Sequence, residues 1–131
     1  MLHPNQFEVN EAWIAFKLND EPIHTELDGE FNFMALMDAA SCFILGSSPV
    51  RVRDAEMTKV EARRLLKQGK VHKQQLPRTL FVPTTQSAQH LTFEAEQMGI
   101  TVVRISEDQL LPFIGEAREG FKEHFGTGGK Q

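Results

Sequence analysis

Three groups of side chains in this sequence have residue types and spacing that could support chemistry. The first is a row of potential metal ligands, His24, Glu26 and Asp28, with Asp38 further along the chain. Imidazole nitrogen mixed with carboxylate oxygen is a donor set for a divalent metal, and alternation by two puts such residues on one face of a strand. A solvated strand face beside a turn produces the same row, and that is the preferred reading. The second group is a set of acids, Glu26, Asp38 and Glu116, which would have to converge to hold magnesium or manganese, because hard cations need clustered anionic oxygens. An Asp at a hairpin break also serves simply to satisfy turn amides.

The third group is cationic. Lys59, Arg63, Lys67 and Lys70 recur at helical spacing, with Arg64 beside them and Arg51, Arg53, Lys73 and Arg78 at the ends. A stripe of this kind can follow a phosphate backbone. No Phe, Tyr or Trp is interleaved between Arg51 and Arg78, so a base-stacking platform is missing there. The stripe therefore reads first as a solvated helix face, or as a partner for an acidic face on another protein or another copy.

Other chemistries are poorly represented. Cys42 is the only cysteine, which rules out an internal disulfide, and it sits in an apolar run where a free thiol behaves as a small hydrophobe. His3, His72, His90 and His124 show no ligand spacing. The chain has no Walker loop, no GxGxxG, no nucleophile elbow and no paired CxxC, which argues against the common nucleotide-binding and hydrolytic classes.

The elements that must position these groups are built around residues 31–52. The run Phe31, Phe33, Met34, Ala35, Leu36, Met37 is followed by a small break at Asp38 to Ser41, then by Cys42, Phe43, Ile44 and Leu45. Short apolar runs bounded by turn residues suit strands covered on both faces, and the Phe content and the later Gly46 to Pro49 argue against one continuous helix. Ahead of them Ile23, Thr25 and Leu27 alternate with polar residues, and Asp28-Gly29 is a hairpin signal. A three-stranded meander over 22–27, 31–38 and 42–52 follows.

Residues 9–18 fit a helix through Val9, Ala12, Trp13 and Phe16, and equally a strand through Ile14, Phe16 and Leu18. Asp54 or Thr58 opens the next segment, a basic helix over 58–73, and Thr58 forms a capping-box pattern with Glu61. Leu80 to Val82 is a short strand ended by Pro83. Ser87 caps a helix that stops at Gly99, and Ile100 to Ile105 is a further strand. Ser106 and Gln109 form another capping-box pattern, but Pro112 predicts a break and a fresh helix. Residues 126–131 read as a disordered tail, leaving a core of about 9–125 in one domain.

Of the 131 residues, 14 are basic and 18 acidic, and their distribution matters more than the formal charge of -4. Residues 51–78 hold nine basic and three acidic residues, a net of +6, whereas residues 1–50 hold one basic and eight acidic, a net of -7. No apolar run approaches membrane-span length and no secretory signal is evident, so a soluble cytoplasmic protein without membrane contact is expected.

The order of three antiparallel strands followed by αβαβα, together with the phrase Met37-Asp38-Ala39-Ala40-Ser41-Cys42-Phe43-Ile44-Leu45-Gly46, resembles the RNase H-like α/β fold, and within it the catalytic core of retroviral integrases and transposases. That resemblance implies a mixed sheet and, in active members, carboxylates from the first strand, the end of the fourth strand and the last helix holding two divalent cations. Counted back from Ser41, the first acid should fall near Ile23 or His24, and the second at Pro83 or Thr84. Neither place offers one; only Glu116 answers the third. The chain is therefore expected to be a catalytically degenerate member that needs no cofactor and acts by binding a protein partner or its own copy. The alternatives are a divergent nuclease using magnesium or manganese, and nucleic-acid binding through the helix 58–73.

Overall fold

A computed structural model describes residues 2–27 and 29–123. Asp28, His124, Phe125 and the expected tail lie outside the described residues.

The undecided segment 9–18 contains a strand, β1 (Ala12–Lys17). Trp13 and Ala15 point to one side and Ala12, Ile14 and Phe16 to the other, and all five are buried. A strand covered on both faces loses the alternation of polar and apolar types, which is why its period is ambiguous in sequence. The meander follows as β2 (Ile23–Thr25), β3 (Gly29–Asp38) and β4 (Ile44–Arg51). Then come α1 (Lys59–Lys73), β5 (Thr79–Pro83), α2 (Gln89–Gln97), β6 (Thr101–Ile105) and α3 (Glu107–Phe121).

β3 organises the sheet. Met34 pairs with Lys17 of β1 and with Ser48 of β4, and Phe31 pairs with Ile23 of β2 and with Arg51 of β4. A strand has two edges, so β2 continues the line of β1 along one edge while β4 takes the other. β1 then pairs in parallel with β5, and β5 with β6. The order across the sheet is β4, β3, β1, β5, β6, with three long antiparallel strands and two parallel ones. The long first strand is thus β1 and not the segment 22–27, which contributes only three residues.

Helices cover both faces. Leu65 and Leu66 of α1 and Leu91 and Ala95 of α2 pack with Trp13, Leu36, Leu80 and Val82. Leu110, Phe113 and Ile114 of α3 pack on Ile14, Phe16, Ala35 and Met37. α1 approaches unusually closely: a Cβ on Gly69 would lie 2.7 Å from the Trp13 ring and 2.9 Å from Leu36. The indole is itself held by a 2.7 Å bond from its Nε1 to Oδ1 of Asn10.

The α1 cap is the expected box, with Glu61 N donating to Thr58 Oγ1 at 3.1 Å and Thr58 N donating to Glu61 Oε1 at 2.9 Å. Two other expectations are corrected. Ser87 does not cap α2, which begins after Ala88 and has its His90 N–H taken instead by the Glu56 carboxylate at 2.8 Å. Pro112 does not break the last helix, which runs through it from Glu107. Its missing N–H removes one bond, to the carbonyl of the exposed Asp108, while burial of Leu110, Phe113 and Ile114 on the sheet holds the helix across the gap.

Candidate functional site

Asp38 is fully buried and its carboxylate is engaged on both oxygens: Oδ1 accepts from Asn10 N at 2.6 Å, and Oδ2 from Ser41 N at 2.9 Å and Ser41 Oγ at 2.7 Å. It ties the β3–β4 turn to the chain ahead of β1. Glu116 is exposed on α3, and Glu26 is exposed in the turn after β2. β2 lies against the opposite end of β3, where His24 pairs with Glu30, and at ~3.3 Å per residue that leaves about 26 Å of strand before Asp38. Among the described residues, no three His, Cys, Asp or Glu side chains are grouped to hold a metal. Burial raises the pKa of the Cys42 thiol, and the nearby Asp38 and Glu116 carboxylates add to the effect, so the thiol is protonated at neutral pH.

The basic stripe divides. Arg63 is committed: its Nε lies 3.0 Å from Oε1 of the buried Glu94 on α2. That hydrogen bond holds the Glu94 carboxyl below its ordinary pKa despite burial, and raises that of Arg63. Lys59 sits 5.7 Å over the ring of the half-exposed Phe93. Arg64, Lys67 and Lys70 are exposed on α1, alongside exposed Val60 and Val71, and form no ion pair among the described residues. Arg51 edges a shallow groove with Phe31, Phe33 and Pro49, the exposed Arg53 lies 4.0 Å from Asp54, and Lys73 is half-buried at the end of α1.

The site absent from the sequence reading lies at the carboxyl ends of β1 and β5. The chain leaves β1 toward β3 and leaves β5 through α2 toward β6, so a crevice opens between these parallel neighbours, the general place for ligands in such sheets. It is a cleft of about 430 Å³. Lys17 lines it, and its backbone is held on both sides: its N–H donates to Gln86 Oε1 at 2.8 Å and its carbonyl accepts from Arg118 Nε at 3.0 Å. Arg118 reaches Glu107 Oε1 at 2.5 Å and lies 5.9 Å from the Phe16 ring. Arg104 on β6 holds the adjoining loop through the carbonyls of Pro83 and Gln86. The apolar wall is Met34, Val50, Met57 and Leu91.

Nothing in the sequence joins Lys17 to Gln86 or Arg118, which are 69 and 101 residues away. Only the β1–β5 pairing and the packing of α3 across β1 bring them together.

The resemblance implies carboxylates on the first strand, at the end of the strand parallel to it, and on the last helix. β1 reads Ala-Trp-Ile-Ala-Phe-Lys, the end of β5 continues into Pro83-Thr84-Thr85, and α3 presents Arg118, which already holds the cleft's Glu107. The expectation of a first acid near Ile23 or His24 also fails on position, because those residues belong to β2. With Lys17 and Arg118 in the lining, Glu107 paired to Arg118, and Glu56 the one other carboxylate there among the described residues, the cleft does not fit a pair of divalent cations.

No protein-family model matches the chain, and no curated protein matches it in sequence. Solved structures do match in shape. The catalytic core domain of BIV integrase superposes with a TM-score of 0.58 over 90% of this chain and 70% of that one, at 11% identity. The fold is RNase H-like. A chain of the simian T-cell lymphotropic virus intasome, solved by cryoEM in complex with PP2A regulatory subunit B56 gamma, gives a TM-score of 0.56 at 13% identity. It is covered over 43% of its length by 97% of this chain. No described helix is long and apolar enough to cross a membrane.

Proposed function

We propose that this chain is a binding module on an RNase H-like scaffold that does not use divalent-metal nuclease chemistry. The observation that supports this is Arg118, whose guanidinium lies over Phe16 at the end of β1, where anionic oxygens would have to gather. A fixed cation there repels a second positive charge and consumes Glu107. The test is an amide NMR spectrum with trace manganese. The expected result is no broadening focused on Lys17, Glu107 and Arg118. Focused broadening there, accompanied by cleavage of a nucleic acid, would sink the proposal.

The partner favoured by charge is an acidic protein surface, and a second copy of this chain carries one. Asp20, Glu21, Glu26 and Glu30 are exposed around the β2–β3 hairpin, with Leu27 96% exposed between them. Arg64, Lys67 and Lys70, beside exposed Val60 and Val71, supply the complement on α1. Sedimentation velocity should show association that weakens with salt and is lost in Arg64→Glu/Lys67→Glu. A species that stays monomeric at low salt rules out self-association.

Nucleic-acid binding along α1 is the second reading, favoured by one tertiary contact: α2 brings Phe93 next to Lys59, supplying an aromatic that the stripe lacks in sequence. Single-strand affinity that did not fall between low and moderate salt would count against it.

A further inference from the structure

We infer that the cleft between the carboxyl ends of β1 and β5 is a binding site for a small organic anion, a carboxylate or phosphate ester, with an apolar body. The inference is independent of what α1 binds.

The cleft lies within the size range of small-molecule sites, and Lys17, Arg118 and the amide and hydroxyl groups of Asn32, Thr85, Gln86 and Ser87 place donors on its wall. Lys17 forms no ion pair among the described residues. Asn32 accepts through Oδ1 from Asn19 Nδ2 at 2.9 Å, which turns its own amide N–H groups to other use. Thr85 and Ser87 add hydroxyls. Of the two carboxylates on the wall, Glu107 is paired with Arg118, and Glu56 accepts from the His90 N–H. An oxyanion therefore meets an uncommitted ammonium in Lys17.

Gln86 supplies a second observation. Its Oε1 is fixed by the Lys17 N–H, which settles the orientation of the amide, and its Nε2 is buried with no acceptor. An unsatisfied buried donor is costly and uncommon in a native fold. Here it belongs to a residue of the cleft wall, one peptide away from the Arg118 guanidinium that grips the Lys17 carbonyl. A small pivot of the Gln86 amide about Oε1 that keeps the bond from the Lys17 N–H, toward an acceptor brought into the cleft, would remove that penalty. Met34, Val50, Met57 and Leu91 provide the surface for the apolar body. The anchoring of the loop by Arg104 keeps these groups in register.

The test uses the full chain, ¹⁵N-labelled, titrated separately with inorganic phosphate, phenyl phosphate and benzoate. Saturable shifts are expected at the amides of Lys17, Thr85, Gln86 and Ser87 and at the Gln86 side-chain NH₂. Phenyl phosphate or benzoate should bind more tightly than phosphate alone, and whichever is tighter identifies the head group. Lys17→Gln keeps both backbone bonds of residue 17 and should weaken binding about tenfold or more, the loss of one charge-assisted contact. Lys122→Gln, outside the cleft, should leave it unchanged. Shifts confined to α1, the absence of saturation with all three probes, or equal binding by Lys17→Gln would each overturn the inference.

Discussion

Arg63 and Glu94 illustrate how little a residue's apparent role in sequence says about its role in the fold. Arg63 is one of four evenly spaced cations, yet it alone neutralises a buried acid. Because the folded pKa of Glu94 lies below its ordinary value, the pair contributes stability above the usual carboxylate range. That contribution is lost as pH falls through the lowered pKa. Arg63→Ala should therefore lower the urea midpoint at neutral pH, with the difference from the parent chain shrinking as acid protonates Glu94. Lys67→Ala, on the exposed face, should change the midpoint little at either pH. Gly69→Ala is the steric counterpart: with the Trp13 ring 2.7 Å from the new methyl, the helix must shift, at about 1–3 kcal/mol. Thermal denaturation reads that loss directly.

At the scale of elements, local signals hold where the backbone can satisfy them alone. The Thr58 box is such a case, and Thr58→Ala should destabilise by about 1 kcal/mol in chemical denaturation. α3 behaves differently, because packing of Leu110, Phe113 and Ile114 carries it through Pro112. Pro112→Ala restores the bond to the Asp108 carbonyl and should stabilise by roughly 1–3 kcal/mol, provided the half-buried ring is not needed for packing. A midpoint that falls instead would mean that the ring fills space against the sheet. Tertiary context also decides β1 and α2: one is a strand where helix and strand patterns are equally matched, and the other takes its cap from Glu56 of a distant loop.

For the whole molecule, the fold is shared in shape with integrase cores, and the side chains it gathers in the cleft are this chain's own. The integrase core matches over most of this chain, while the junction of β1, β5 and α3 carries Lys17, Gln86 and Arg118. Arg118→Ala removes the tie to the Lys17 carbonyl and leaves Glu107 unpaired, and the altered shifts should centre on the cleft. If that variant gained focused manganese broadening while the parent chain had none, the guanidinium would be the element that excludes cations.

The sequence by itself determined the element order from β2 onward, the β3–β4 hairpin, the basic helix with its cap, and the lack of an acid at Pro83 and Thr84. These are local or compositional properties, written in short-range spacing. The course of residues 9–18, the passage of α3 through Pro112, the pairing of Arg63 with Glu94 and the assembly of the cleft were decided only by tertiary structure. Burial on two faces erases the period of β1, sheet packing outweighs one missing hydrogen bond in α3, and parallel pairing of β1 with β5 joins residues separated by 69 positions. Chemistry that depends on such long-range pairing leaves no spacing to read.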